Sequence, residues 1–348
     1  MSEDWQKAMR QRIKTVPGWD VETSLPVGIP RHWLSLSQED YLMCQRNKDG
    51  VPLDPLLAQA LPSPQESLAT KDEAVDPLGE SRHRILPRVV HQYPSRLLVR
   101  ATGECPLFCR YCFRRSLLKD QRSWLDRKSI SSISSYISAH PEIREVLVSG
   151  GDPLTVSDDR LEELFTAIRR AGSAIVIRLC TRTPVCLPSR VTPGLVDLLH
   201  RSKPLKLILH INHPREISQE FILGLEAMQN AGLPIRSQSV LLKGINDRAE
   251  TLAELFSSLS RLGVEPYYLF QGDLAAGTSH FRVPLSKGLE LYRQLRQRLS
   301  GLELPRYALD APEGGGKLYL PESVIGLEGK TWILEGPDGR RHRYPEET

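Results

Sequence analysis

The sequence predicts an α/β fold in which short buried strands alternate with helices. Six apolar, β-rich runs recur from residue 96 onward, and after the first interval they return about every thirty residues, the length of one β–α unit. Between them lie helical patterns, such as residues 158–168, where apolar side chains follow two acidic first-turn residues. Strands that are apolar on both faces are typical of a parallel sheet covered by helices. The six predicted strands are residues 96–102, 145–151, 174–181, 205–212, 235–242 and 266–273.

The chain divides into three predicted regions. Residues 1–85 are expected to be helical, with a helix at residues 5–16 and a linker or long surface loop at residues 60–84, which is rich in Pro, Ser, Glu and Asp. Residues 86–304 carry the strand–helix units. Residues 305–348 contain glycine turns between β-rich runs, which predicts hairpins.

The composition is that of a globular protein and suggests no large charged partner. Hydrophobic residues make up 40% of the chain and charged residues 25%. No apolar run approaches the roughly 18–20 residues that span a bilayer, and the start shows no secretion signal. A net charge of +4 is small against 46 basic and 42 acidic residues, so neither nucleic acid nor a membrane is expected as a partner. Unpaired cysteines without a signal predict a cytoplasmic location.

Three of the six cysteines, Cys105, Cys109 and Cys112, share one loop with the spacing C-x3-C-x2-C. Three thiolates so spaced can hold one face of a cubic iron–sulfur cluster, whereas ordinary electron-carrying clusters use four cysteines. The iron left over would be an open coordination site. A partial zinc site is the alternative, but the nearest histidine, His91, lies fourteen residues upstream. The remaining cysteines are interpreted as small buried apolar residues: Cys44, Cys180 and Cys186.

A lysine behind three glycines, Lys317, is the second candidate for chemistry. Its amine can form an imine with an aldehyde cofactor, and consecutive glycines let the backbone pass close to a bulky ligand. Taken alone the pattern is weak, because a flexible surface turn that ends in a solvated lysine has the same sequence. It is not a phosphate-binding Walker loop, since the spacing and the Ser/Thr are absent.

Several separated motifs, in the right order, resemble the lysine 2,3-aminomutase family, radical S-adenosylmethionine (SAM) enzymes that also carry pyridoxal 5′-phosphate (PLP). The resemblance implies a partial TIM-like barrel of six β/α units, of the radical SAM type, with an N-terminal helical extension and a C-terminal β-rich segment. In such a barrel, chemistry collects at the carboxyl ends of the strands. The matching motifs are Cys105-Pro-Leu-Phe-Cys-Arg-Tyr-Cys-Phe-Arg-Arg, Ser149-Gly-Gly-Asp-Pro-Leu, Arg182-Thr-Pro-Val, His210-Ile-Asn-His-Pro, Gln238-Ser-Val-Leu-Leu-Lys-Gly-Ile-Asn-Asp, Gln271-Gly-Asp and Asp310-Ala-Pro-Glu-Gly-Gly-Gly-Lys.

The resemblance implies which residues bind the cofactors. The three loop cysteines would hold a [4Fe–4S] cluster, and the amino and carboxylate groups of SAM would chelate its open iron. Lys317 matches the Schiff-base lysine of PLP, and Tyr93 and Arg96 fall where the family grips the PLP phosphate. A lone histidine on a strand is more often a satisfied core residue, which stays an alternative for His210. The implied SAM contacts are Gly150, Gly151, Asp152, His210 and Gln238.

Three further residues are implied to hold the substrate. Arg114 matches the family's arginine for the substrate carboxylate, whereas its neighbours Arg110 and Arg115 could be surface charges. Asp273 and Asp310 match two carboxylates that offset the desolvation of a substrate ammonium in lysine-specific members. Alternatively, Asp273 caps the following loop and Asp310 begins a turn.

The implied activity is a radical isomerisation that moves the α-amino group of L-lysine to the β-carbon and yields β-lysine. A flavodoxin- or ferredoxin-type electron donor is implied, and a homo-oligomer is compatible with it. Alternatives are arginine as the substrate, the β-lysine-forming branch that serves elongation factor P, a radical SAM enzyme without PLP, and a non-enzymatic iron–sulfur or zinc protein. Arg248 stands where longer members have a zinc ligand, so their structural zinc is not expected.

Overall fold

The computed structural model describes residues 4–19, 25–68, 70–118 and 123–346. The strands are β1 (Arg84–Leu86), β2 (Val89–Tyr93), β3 (Arg96–Thr102), β4 (Glu145–Gly150), β5 (Val176–Thr181), β6 (Leu205–His210), β7 (Ile235–Val240), β8 (Glu265–Phe270), β9 (Arg306–Ala311), β10 (Gly316–Tyr319), β11 (Val324–Glu328), β12 (Thr331–Glu335) and β13 (Arg341–Pro345). The α-helices are α1 (Trp5–Arg10), α2 (Arg31–Ser35), α3 (Pro55–Ala58), α4 (Arg115–Leu118), α5 (Arg127–Ala139), α6 (Asp158–Ala171), α7 (Thr183–Cys186), α8 (Pro193–Arg201), α9 (Gln219–Asn230), α10 (Ala249–Arg261) and α11 (Leu285–Arg298).

Strands β1 to β10 form one sheet in sequential order, and β11 to β13 form a second, smaller sheet. Neighbours from β3 to β9 run parallel, whereas β1, β2 and β10 pair antiparallel at the two ends. The six predicted strands are confirmed as β3 to β8, each within three residues. The predicted α/β fold, with its C-terminal β-rich segment, is therefore confirmed.

β9 is a further parallel strand that the sequence pattern did not reveal. Its residues include two alanines and an aspartate, which have little preference for strands. Tertiary packing stabilises it instead, because Tyr307 and Leu309 are buried against the core. β10 then returns antiparallel, which sets Lys317 directly opposite Asp310.

The large sheet curves until its two ends lie close together. The hydroxyl of Tyr93, at the end of β2, accepts a hydrogen bond from the backbone N–H of Lys317 at 2.9 Å. The side chain of Gln92 donates to the carbonyl of Gly314 at 3.0 Å. Among the described residues no strand pairing joins β1 or β2 to β10.

The helices that follow the strands cover the sheet with one apolar stripe each. In α6, Leu161, Leu164 and Ile168 are buried at helical spacing. Acidic residues in its first turn and basic residues in its last turn complement the helix dipole. The helix predicted from residues 158–168 is therefore confirmed. Within the described parts of the chain, no helix has both the length and the apolarity needed to cross a membrane.

The N-terminal region packs against the barrel. The helix predicted at residues 5–16 stops early, because Ile13 forms a β-bridge instead of a further helical turn. Within residues 60–84, the predicted linker or long surface loop, Glu66 and Glu80 are buried carboxylates, so this segment packs in part against the rest of the protein. The division of the chain into three regions stays a prediction.

The C-terminal hairpins are confirmed as two antiparallel pairs, β11 with β12 and β12 with β13. Gly329 occupies the tight turn between β11 and β12 with φ of 61°, a left-handed conformation that favours glycine. This sheet is attached to the barrel by Tyr344, which is buried.

Candidate active site

A cavity of about 370 Å³ lies at the carboxyl ends of the parallel strands. The cysteine loop follows β3, Gly150 ends β4, His210 ends β6, and Asp273 comes shortly after β8, so separate segments meet at one edge of the barrel. The structure brings every predicted site residue to the wall of this single cavity. They are Tyr93, Arg96, Cys105, Cys109, Cys112, Arg114, Gly150, Gly151, Asp152, His210, Gln238, Asp273, Asp310 and Lys317.

The cysteine loop presents three free thiols to the cavity, those of Cys105, Cys109 and Cys112. Burial first, and the charges of neighbouring cysteines in addition, raise the pKa of the Cys105 and Cys112 thiols, that of Cys112 to about 11. Three adjoining thiolates therefore need a cationic group between them. In the described residues, no three or more ligating side chains are grouped so as to hold a metal ion. Thiolates at separate corners of an iron–sulfur cluster need no such convergence, so the donor set fits a cluster.

Buried ion pairs hold the cysteine loop against the N-terminal region. Arg110 is fully buried and donates to the carbonyls of Leu25 and Pro26 at 3.1 and 3.0 Å. Arg110 and Arg115 both pair with Glu66, at 2.5 and 2.6 Å. The interpretation of these two arginines as surface charges is therefore wrong. Their burial is tolerated because each charge is paired and hydrogen-bonded.

A buried hydrogen-bond network links the cysteine loop to the strand ends. Arg182 donates from Nη1 to the Cys109 sulfur at 2.9 Å and to the Tyr111 hydroxyl at 2.7 Å, while its Nη2 pairs with Glu216 at 3.0 Å. The Nε2 of His210 lies 2.7 Å from the same hydroxyl. Burial, together with Arg182, lowers the pKa of His210 to about 3, so its imidazole is neutral. His210 is thus both a satisfied buried residue and part of the cavity wall.

Sequence reasoning missed the role of Tyr111 in this network. An aromatic residue between the second and third cysteines was the available signal. The sequence reasoning also treated Arg182 only as part of a motif and did not predict its hydrogen bonds. Of the cysteines without metal spacing, Cys186 is buried as expected, whereas Cys180 lines the cavity and Cys44 is only half-buried.

The glycine motif after β4 approaches the backbone of the cysteine loop. An added Cβ on Gly151 would lie 2.3 Å from the carbonyl oxygen of Glu104, so only glycine fits there. The Asp152 carboxylate is fully engaged by the protein. It accepts hydrogen bonds from the Thr181 hydroxyl at 2.7 Å and from the backbone N–H of Thr183 at 2.9 Å, among others. These hydrogen bonds orient the turn that follows β5.

Lys317 is held among charged and aromatic groups. Its side chain is 19% exposed, and its Nζ lies 2.8 Å from Asp310 and 4.1 Å from the ring centroid of Phe270. The alternative of a solvated surface turn is therefore wrong. Asp273 lines the same cavity, and its carboxylate has no hydrogen-bond partner within the part of the chain that the structure describes. Burial and the nearby Asp310 raise the pKa of Asp273 to about 8.

The predicted substrate arginine is already paired inside the protein. Glu80 accepts hydrogen bonds from Nε and Nη2 of Arg114 at 3.0 and 2.6 Å, and Nη1 donates to the Ser149 hydroxyl at 3.2 Å. Sequence reasoning missed Glu80 because it lies in the segment interpreted as a linker. The guanidinium of Arg96 stacks 4.1 Å from the ring centroid of Tyr93.

Comparisons with known proteins show which family the chain is similar to. The family model of the Radical SAM superfamily matches residues 99–256. A protein of Treponema pallidum (strain Nichols), whose L-lysine 2,3-aminomutase name is provisional, is 46% identical over 303 residues, 85% of each chain. The L-lysine 2,3-aminomutase of Acetoanaerobium sticklandii is 36% identical over 352 residues, 99% of this chain and 84% of the relative. The glutamate 2,3-aminomutase of Clostridioides difficile (strain 630) is 36% identical over 281 residues, 81% of this chain and 66% of the relative.

The chain belongs to the lysine 2,3-aminomutase family. It is therefore an isomerase of the radical SAM aminomutase kind. Lysine 2,3-aminomutases use a [4Fe–4S] cluster and SAM, as other radical SAM enzymes do, and PLP in addition. These cofactors must act on one substrate, and a single cavity that both the cysteine loop and Lys317 line has the geometry that such chemistry requires.

Proposed function

We propose that the chain moves the α-amino group of free L-lysine to its β-carbon, giving β-lysine, with a [4Fe–4S] cluster, SAM and PLP bound. The observation that carries this proposal is the shared cavity wall of the cysteine loop, Lys317 and two carboxylates, Asp273 and Asp310. A radical made at one cofactor has to reach a carbon held at the other, so their residues must face the same space.

At the cluster end, Cys105, Cys109 and Cys112 would be the protein ligands. When bound, the reduced cluster and SAM supply the radical chemistry. The chain holds this end in place through the Arg182 hydrogen bond to the Cys109 sulfur. Hydrogen bonds to ligating sulfurs stabilise their negative charge and tune a cluster. We propose that Gly150, Gly151, His210 and Gln238 line the SAM site.

At the other end, Lys317 is the proposed attachment point of PLP, which when bound holds the substrate amino nitrogen and disperses an unpaired electron. The Tyr93 hydroxyl orients the Lys317 backbone, and Asp310 pairs with the Lys317 ammonium before PLP is attached. Arg96, stacked on Tyr93, is the proposed partner of the PLP phosphate. Rings of Phe270 and Tyr268 face the Lys317 amine and keep water from that side.

Two carboxylates in one buried site support a cationic substrate side chain. An ammonium removed from water needs nearby negative charge, which Asp273 and Asp310 would supply. A glutamate side chain would meet repulsion there, so we propose a basic substrate although one relative is named a glutamate 2,3-aminomutase. Lysine is favoured over arginine. Arg114 would bind the substrate carboxylate through Nη1, which is not paired with Glu80.

The test is a substrate panel on the reconstituted enzyme. The protein is loaded anaerobically with iron, sulfide and PLP, reduced in the presence of SAM, and incubated with L-lysine, L-arginine, L-ornithine or L-glutamate. Chiral analysis is expected to find β-lysine as the main product. β-Glutamate as the main product would overturn the substrate proposal, and SAM cleavage without any β-amino acid would overturn the reaction.

The PLP attachment is tested separately. Borohydride reduction of the PLP-loaded protein, followed by peptide mapping, is expected to find a pyridoxyl group on Lys317, and an adduct only elsewhere would contradict the assignment. Dithionite replaces the natural electron donor in these assays, which we propose to be a flavodoxin- or ferredoxin-type protein.

A further inference from the structure

The last strand, β13, contacts both of the loops that carry the proposed substrate and PLP residues. Its side chains alternate between solvent and protein, because residues two apart on a strand share a face. Arg341 and Arg343 are exposed, His342 is half-buried, and Tyr344 is buried. His342 and Tyr344 therefore point together toward the barrel.

Tyr344 is bonded to the backbone that immediately precedes Asp273. Its hydroxyl donates to the Gly272 carbonyl at 2.7 Å and accepts from the Gln271 side-chain amide at 3.0 Å. Gln271 is itself fully buried, and its carbonyl oxygen accepts from the Tyr307 hydroxyl at 2.5 Å. A network of buried hydrogen bonds thus holds the backbone on which Asp273 stands.

This attachment matters because the Asp273 carboxylate has no hydrogen bond of its own to any described residue. Its direction is therefore set by the backbone that carries it. Asp273 follows Gly272 directly, so a shift of the Gly272 carbonyl moves the carboxylate with it. Displacements of about 1 Å are enough to weaken contacts in a binding site.

The same strand face also supports the loop before Lys317. An added Cβ on Gly315 would lie only 2.2 Å from the His342 ring, so the ring packs directly on the glycine run. The chain after the strand is anchored as well. Glu346 accepts hydrogen bonds from the Trp332 indole at 2.5 Å and from the backbone N–H of Ser286 at 3.1 Å. Strand β13 is therefore anchored to the rest of the protein by contacts of its own side chains and of the residue that follows it.

We infer that β13 is a positioning strand for the active site. Tyr344 fixes the position of the Asp273 carboxylate, and with it the preference for a substrate whose side chain ends in an ammonium. The inference rests on the proposed function, because it takes Asp273 as a contact to that ammonium. Tyr344 is not among the residues that line the cavity in the described structure, so it acts through Asp273.

The experiment removes the hydroxyl donor from the full-length, cofactor-loaded enzyme. Tyr344 is replaced by phenylalanine and by 4-fluorophenylalanine, which fills the space of the hydroxyl without donating. The KM for L-lysine is expected to rise about fivefold to tenfold, the effect of one hydrogen bond, with kcat within about twofold. The inhibition constant of L-norleucine, which lacks the side-chain ammonium of lysine, should not change. 4-Aminophenylalanine at the same position, which donates from its amine, should restore the lysine KM.

Tyr292 supplies the matched control. Its hydroxyl donates a hydrogen bond of 3.1 Å to the Pro305 carbonyl, and Tyr292 is not among the residues that line the cavity in the described structure. Tyr292→Phe should leave both constants unchanged. In an Asp273→Asn background, removing the Tyr344 hydroxyl should add little, since coupled residues are not additive.

The possible outcomes separate the inference from the proposed function. An unchanged lysine KM without the Tyr344 hydroxyl, while Asp273→Asn raises it, overturns the inference alone. Equal loss of lysine and norleucine binding also overturns it, because that result indicates a general structural role. An unchanged lysine KM in Asp273→Asn overturns the proposed function instead.

Discussion

Two carboxylates and one ammonium share the proposed substrate end of the cavity, and each charge affects the others. Asp310 is paired with Lys317 at 2.8 Å, whereas the half-buried Asp273 has no hydrogen-bond partner among the described residues. Burial first, and Asp310 second, raise the pKa of Asp273 to about 8. In the substrate-free protein Asp273 is therefore largely protonated at neutral pH, and an arriving ammonium favours its ionised form.

This charge state gives a pH prediction for lysine turnover. Only the ionised Asp273 pairs with an ammonium, and the lysine side chain stays charged up to a pKa of about 10.4. The value of kcat/KM reports groups of the free enzyme, so it should rise with pH until about 8. Asp273→Asn should remove that rise and lower kcat/KM for lysine by about tenfold or more. A pH profile that keeps its shape in the variant would contradict the assignment.

Lys317 allows a second prediction at the scale of one residue. Lys317→Ala removes the amine proposed to bind PLP, so β-lysine formation should fall by at least about a thousandfold. The cluster should still form and bind SAM, as measured by electron paramagnetic resonance. Lys287→Ala is the control, because Lys287 is paired with Asp247 outside the cavity. Retained β-lysine formation in Lys317→Ala would refute the role.

At the scale of elements, the turn after β4 and the cysteine loop are packed too closely for a side chain between them. Gly151→Ala would force a methyl group against the Glu104 carbonyl, 2.3 Å away. Backbone cannot yield as a flexible side chain does, so the cysteine loop would have to move.

We expect Gly151→Ala to lower the iron and sulfide content per chain by more than about half. The free energy of unfolding should fall by about 1–3 kcal/mol, the usual cost of overpacking. Gly301→Ala is the control, because an added Cβ there meets nothing within 4 Å. Iron analysis and denaturant unfolding of both variants check the expectation, and equal iron content would refute it.

At the scale of the whole molecule, the N-terminal region is part of the active-site support. Glu66 lies on a short helical turn that precedes the barrel, and it is paired with Arg110 and Arg115, which flank Cys112, the last of the three proposed cluster ligands. Arg110 also bonds to the carbonyls of Leu25 and Pro26. The cysteine loop is therefore fixed from outside the parallel sheet.

Glu66→Ala should consequently act on both stability and cluster assembly. Two buried arginines would lose their carboxylate, and breaking a buried pair costs about 3–5 kcal/mol. The midpoint temperature of thermal unfolding and the iron content per chain should both decrease. The control is Glu290→Ala, whose exposed pair with Arg293 should matter little. Normal cluster content in a folded Glu66→Ala enzyme would show that the pairs of Glu66 with Arg110 and Arg115 are not needed for cluster assembly.

Much of the fold and the site was predictable because the signals are local. Strands β3 to β8 are apolar runs of a few residues, and the cysteine spacing lies within one loop. Parallel strands bring their carboxyl ends to one edge, so separate motifs after different strands were expected to meet. Pairings between distant segments were not predictable. Glu80 beside Arg114, Glu66 beside Arg110, and Tyr344 behind Asp273 each join residues far apart along the chain.

The sequence by itself determined the chemistry available to this protein: three thiols on one loop, a lysine behind glycines, and two aspartates at motif positions. Only the tertiary structure decided which charges are buried, which are already paired, and which face the cavity unpartnered. The reason is physical. Charge state and hydrogen bonding depend on distances in space and on exclusion of water, and neither is encoded in any short stretch of residues.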